Sequence, residues 1–143
     1  MEKPKSLRTA LETALPELRD NPDKLHLYIT NGQVETHKGT LGHTDHYTLT
    51  LLITDFVGNI DVLKVAIINW LQTNQPDILG QGSVIPNAFT FEADLNGHSS
   101  ADLLIELKLN ERTTALIDEH NNVHVTHPAE PQRDTDLATT LGL

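Results

Sequence analysis

The sequence predicts a two-layer α+β domain, with a mixed, mainly antiparallel sheet of five to seven strands packed with two helices. Three observations predict it. The 143 residues suit one domain of ordinary size, long enough to bury a core. The apolar period is 3.6 in two stretches and 2 in most of the rest. The strand-like runs are joined by short turn sequences, which favours hairpins, with the two helical stretches interrupting them.

Leu7, Leu11, Leu15 and Leu18 form the stripe of an amphipathic first helix spanning Ser6 to Arg19, with Ser6 as its cap and Pro16 kinking its last turn. Leu25, Leu27 and Ile29 then alternate with polar residues as a strand. Asn31-Gly32 suits a tight hairpin, so a second strand is expected over Gln33 to Thr40. The third strand covers Tyr47 to Thr54. Asn59 can cap a second helix over Ile60 to Thr73, and Asp61 suits the positive end of its dipole. This helix is apolar almost all round. Val65 and Ile68 project among its polar residues, where one sheet face cannot cover them.

Residues 74–87 carry two prolines and two glycines and are expected to form a long loop anchored by Ile78 and Leu79. In "AFTFEADL" the inward residues are Phe89, Phe91, Ala93 and Leu95. "ADLLIELKLNERTTALIDE" supplies one long strand or two, and "VHVTH" supplies a last short one. The strand–helix–strand crossover through the second helix is expected to be right-handed if its strands run parallel. The expected division is a domain over 1–127 and an extended tail over 128–143, where two prolines and charged residues break any core periodicity.

Composition excludes several kinds of function. Ten basic against twenty acidic residues give a net charge of −10, unsuited to gripping nucleic acid over a broad surface. No cysteine is present, so disulfides and thiolate chemistry are absent. The N-terminal stretch carries Glu12 and Glu17 within its periodic run, and it is expected to be neither a signal peptide nor a membrane span.

The sequence offers weak candidates for chemistry. His43 and His46, and His120, His124 and His127, have strand or turn spacing, which does not place imidazoles together as a helical i, i+4 pair does. Asp55 stands where a strand ends, a position open to a general base but far more often taken by a turn residue bonding to nearby backbone, which is the reading expected here. Asp94, Asp102 and Glu106 define no common site, and Gly80 and Gly82 make no phosphate loop. No catalytic residue, metal site or cofactor is therefore expected. The sharper feature is the greasy second helix, and the expected subunit interface comprises Val65, Ile68, Gln72, Ile78 and Leu79.

The blocks "KPKSLRTAL", "NPDKLHLYITNG", "YTLTLLITDFVGN", "WLQTNQPDIL", "FTFEADL" and "ADLLIELKLNERT", in this order and spacing, resemble the tail completion protein R family of contractile-tailed bacteriophages. The resemblance covers residues 1 to about 118. It implies a non-enzymatic virion protein, assembled in the host cytoplasm, that finishes the head-proximal end of the tail. By similarity to tail terminators it implies a ring of copies of itself, a hexamer, touching the tail tube protein, the sheath protein and the head connector. DNA would pass through the lumen without specific binding, and no membrane is involved. The competing reading is a small-molecule-binding α+β regulatory domain, which a defined ligand pocket would favour.

Overall fold

In a computed structural model of the protein, residues 1–80 and 85–130 are described. Helix α1 (Lys3–Ala14) is followed by α2 (Pro16–Asp20), then strands β1 (Leu25–Thr36) and β2 (His43–Phe56), helix α3 (Ile60–Asn74), and strands β3 (Phe89–Asn96), β4 (Ser100–Ile117) and β5 (Val123–Thr126). The four main strands lie in the order β1-β2-β4-β3, and β5 pairs with the far end of β4. Every paired neighbour is antiparallel, which corrects the mixed sheet expected from sequence. β2 and β3 do run in the same direction, but β4 lies between them, so the crossover through α3 creates no parallel pair.

The predicted first helix is two helices. Leu15 adopts φ −126° and ψ 97°, the extended geometry imposed on a residue before proline, so Pro16 starts a new helix instead of kinking the old one. Ser6 is not the cap. α1 begins at Lys3 with Pro4 in its first turn, and Ser6 Oγ accepts the Trp70 indole N–H at 2.9 Å, tying α1 to α3. Around this tie, Leu7, Leu11 and Leu18 meet Leu63, Ile67 and Leu71 in a core closed by Leu49, Leu51, Ile53, Leu103 and Leu107 of the sheet.

Asn31-Gly32 does not turn the chain. Asn31 has φ 55°, and the pairing skips from Thr30↔Thr48 to Gln33↔His46, so two residues of β1 stand opposite Tyr47 alone. This is a β-bulge. The left-handed conformation that asparagine tolerates serves a bulge as well as a turn, and the chain reverses later, across residues 37–42. A second bulge lies at the end of β2, where Thr54 and Asp55 face Asp102 alone. It inverts the alternation there. Without it residue 55 would follow Leu51 and Ile53 inward; with it Phe56 takes that place and is 2% exposed.

β4 is one strand and the spine of the sheet. Ala101, Leu103, Ile105, Leu107 and Leu109 point under the helices, as alternation requires. Phe91 and Leu95 share that face through Phe91↔Ile105 and Leu95↔Ala101, but β3 is an edge strand beyond full helix cover. They are 50% and 69% exposed, which corrects their expected burial. The extended tail expected over 128–143 falls mostly on residues outside those described. Among the described residues, Glu130 Oε1 accepts the Lys3 ammonium at 2.7 Å.

Candidate functional site

α3 displays two unlike faces because its apolar residues cover more than half of its circumference. Asn59 Oδ1 caps it by accepting the Asp61 N–H at 2.8 Å, as the sequence predicts. Leu63, Ile67, Trp70 and Leu71 form the buried stripe. Val62, Val65 and Ile68 face outward at 49%, 64% and 39% exposure. Lys64 lies beside them with its ammonium 3.9 Å from the centroid of the Phe91 ring, joining the outer side of α3 to the uncovered end of β3. Val62, Val65 and Ile68, with the exposed Phe91 ring beyond Lys64, leave an apolar strip that the core of the monomer does not cover.

The residues expected to form an interface divide between surface and core. Val65, Ile68 and Gln72 are exposed on α3. Ile78 is buried at 7%, and Leu79 is half-buried against the core, because a short 3-10 turn at Pro76–Ile78 folds the start of the long loop back beneath the helices.

A polar junction fills the opposite end of α3. The Lys3 ammonium donates to Gln75 Oε1 at 2.6 Å, to the Asn110 carbonyl at 2.6 Å and to Glu130. Glu111 Oε1 accepts the backbone N–H groups of Glu2 at 2.8 Å and Lys3 at 2.6 Å, holding the start of α1 against β4. Gln75 Oε1 also accepts the Asn110 N–H, so side chains satisfy β4 between its pairings with β3 and β5. Burial, with the Glu111 carboxylate beside it, pushes the Tyr47 hydroxyl pKa far up and keeps it protonated. Among the described residues, Tyr47 Oη and Glu111 Oε2 are buried without a hydrogen-bond partner. The cleft here, about 260 Å³, is lined by Lys3, Asn74, Glu111, Arg112, His127 and Glu130 among others.

Residues 1–131 match the family described as P2 phage tail completion protein R (GpR). The chain belongs to this family. The tail completion protein R of Escherichia phage P2 is 42% identical over 133 residues, covering 92% of this chain and 84% of that protein. No solved structure matches.

In this tail completion family member, the sequence's chemical candidates are spread over the sheet. Asp55 sits at φ 52°, its N–H donating to Asp102 Oδ1 and its carbonyl accepting Lys24 Nζ, both at 2.9 Å, with its side chain exposed. It therefore acts through its backbone, at the second bulge. His46 pairs with Glu35 at 2.9 Å and His124 with Asp118 at 2.7 Å, while His127 approaches Thr113. His43 hydrogen-bonds the Leu41 carbonyl. Among the described residues no three histidines or carboxylates gather into a metal-binding group. Asp94 and Asp102 are cross-strand partners, and Glu106 faces Thr90. Among the described residues no helix is long and apolar enough to cross a membrane.

Sequence reasoning missed the Lys3 junction. One signal was present: the inward series Leu103, Ile105, Leu107, Leu109 continues to Glu111, a carboxylate on the covered face that must find donors when buried.

Proposed function

We propose that this protein, a bacteriophage tail completion protein and virion component, caps the head-proximal end of the tail tube as a sixfold ring of its own copies, so that a filled head can join. Membership of the family carries the reading; the exposed aliphatic face of α3 supports the ring. Val62, Val65, Ile68 and Gln72 form one subunit contact, and the uncovered Phe91 and Leu95 extend it. The domain expected over 1–127 supplies the ring body, and residues 128–143 a tail available to other tail components. One ring face takes the place of the next tube ring and touches the tube protein and the sheath; the other receives the head connector. DNA passes through the lumen without specific binding, which the net charge of −10 favours. The work is assembly in the host cytoplasm, without catalysis or cofactor. Family membership favours this over a ligand-binding regulatory domain.

Electron microscopy of induced lysates with and without the protein tests the reading. Filled heads beside unattached or overgrown tails are expected without it, and purified protein should restore joining. Normal particles in its absence would overturn the proposal.

A further inference from the structure

We infer that the β4–β5 ribbon of one copy docks on the outer α3 and β3 face of a second copy, so that two different patches of the chain meet at each subunit contact. The inference rests on the ring proposed above and says how it closes. Past Thr113, the last residue of β4 paired with β2, the strand pairs only with β5. A two-stranded ribbon is marginal by itself unless its apolar face is covered. The registers Ala115↔Val125 and Ile117↔Val123 put these four side chains on one face. Ile117, Val123 and Val125 are 52%, 64% and 55% exposed. By alternation this face continues the side of β4 that carries Leu107 and Leu109 under the helices, so the sheet outruns its cover.

The second patch is the one built on Val62, Val65, Ile68 and Phe91. Phe91 pairs with Ile105, and residues 105 and 116 lie about 36 Å apart along β4 at roughly 3.3 Å per residue, so the patches cannot meet within one chain.

Charge and symmetry select the pairing. The turn at the tip of the ribbon carries Asp118 and Glu119. The Glu119 side chain is 88% exposed, with the exposed His120 at 3.7 Å. The helix patch carries Lys64, whose ammonium lies over Phe91 and 4.0 Å from the exposed Asp61 carboxylate. Ribbon against ribbon would set carboxylates together, and helix against helix is an isologous contact that pairs two copies without closing a ring. Ribbon against helix sets Glu119 near Lys64. Such head-to-tail contact closes into a ring when the rotation permits.

The chain has no cysteine, so introduced thiols report alone. Lysates lacking the protein are supplied with a chain carrying Val65→Cys and Val125→Cys, and the joined particles are purified, mildly oxidised and run on a non-reducing gel. A ladder of covalent multimers is expected, while Val65→Cys or Val125→Cys alone stays monomeric. Joined particles without a ladder, or dimers from either single variant, overturn the docking. As a second measurement, Lys64→Glu and Glu119→Lys are each expected to lower joined particles at least threefold and, combined, to restore them; a double variant as poor as the singles overturns the docking as well. Failure of the wild-type chain to restore joining would instead refute the tail completion role itself.

Discussion

Replacing Glu17 by glutamine tests how the turn before α3 is held. The Glu17 carboxylate, 16% exposed, accepts Lys24 Nζ at 2.9 Å and the backbone N–H groups of Val57 at 2.9 Å and Gly58 at 3.0 Å. Burial alone would raise its pKa. The Lys24 hydrogen bond and charge and the two backbone donors outweigh it, and the net shift is below the ordinary 4.5. Glutamine keeps the shape but presents an NH₂ where the site needs an acceptor, and it removes the charge facing Lys24. A hydrogen bond to a charged group contributes ~1.5 to 3 kcal/mol; the flanking groups can turn to water, so a loss of about 2 kcal/mol is expected at pH 7. With a urea slope of roughly 1.5 kcal/mol per molar, the midpoint falls by about 1.3 M. The pH dependence has a fixed sign: a lowered folded pKa contributes stability that is full above the unfolded value and is lost as pH falls through the folded one. Urea titrations from pH 7 to pH 3 should therefore show wild type and variant converging below about 4.5. A gap under roughly 0.5 kcal/mol at pH 7, within the range of an ordinary surface substitution, or a gap that persists unchanged at pH 3, refutes the reasoning.

Asp55→Asn should be neutral in thermal unfolding and in phage assembly, because asparagine accepts the left-handed backbone and the side chain is exposed; Asp55→Val should cost about 1 to 2 kcal/mol at that φ. Loss of assembly in a folded Asp55→Asn protein would return the carboxylate to a chemical role. Lys3→Met removes the ammonium that donates to Gln75 Oε1 and to the Asn110 carbonyl, and a loss of about 3 kcal/mol in urea unfolding is expected; no measurable loss would show that the junction is incidental. Ile68→Asp, at 39% exposure, should unfold within roughly 1 kcal/mol of wild type yet fail to support head joining, whereas a collapsed monomer would make Ile68 ordinary core.

Much of the fold was legible in local patterns. The Asn59 cap and the buried stripe of α3 follow from spacing alone, and the inward register of β4 follows from its alternation. What was not legible depended on partners distant in sequence. Asn31-Gly32 permits a positive φ in a turn or in a bulge, and only the register with Tyr47 chooses between them. Phe91 was assigned the correct face, but its exposure depends on how far the helices reach over the sheet edge. Pro16 marked an interruption without saying whether the helix would bend or restart. Of the interface residues, Val65 and Ile68 were legible as outliers on a helical wheel, whereas the burial of Ile78 required the 3-10 turn that precedes Leu79. Lys3 resembles any solvated lysine in a first helical turn until Gln75, Asn110 and Glu130 converge on it.

That convergence also bears on when the fold can complete. Lys3 donates its backbone N–H to a residue 108 positions later and its ammonium to one 127 positions later. During synthesis at about 5 to 20 residues per second, α1 emerges many seconds before the strand that anchors it exists. The contacts that clamp it are among the most non-local in the chain, a topology associated with slow folding. Completion of the N-terminal clamp is thus a late event: the apolar side of α1 can meet α3 as soon as that helix has emerged, but its first turn stays unanchored until β4 has left the ribosome.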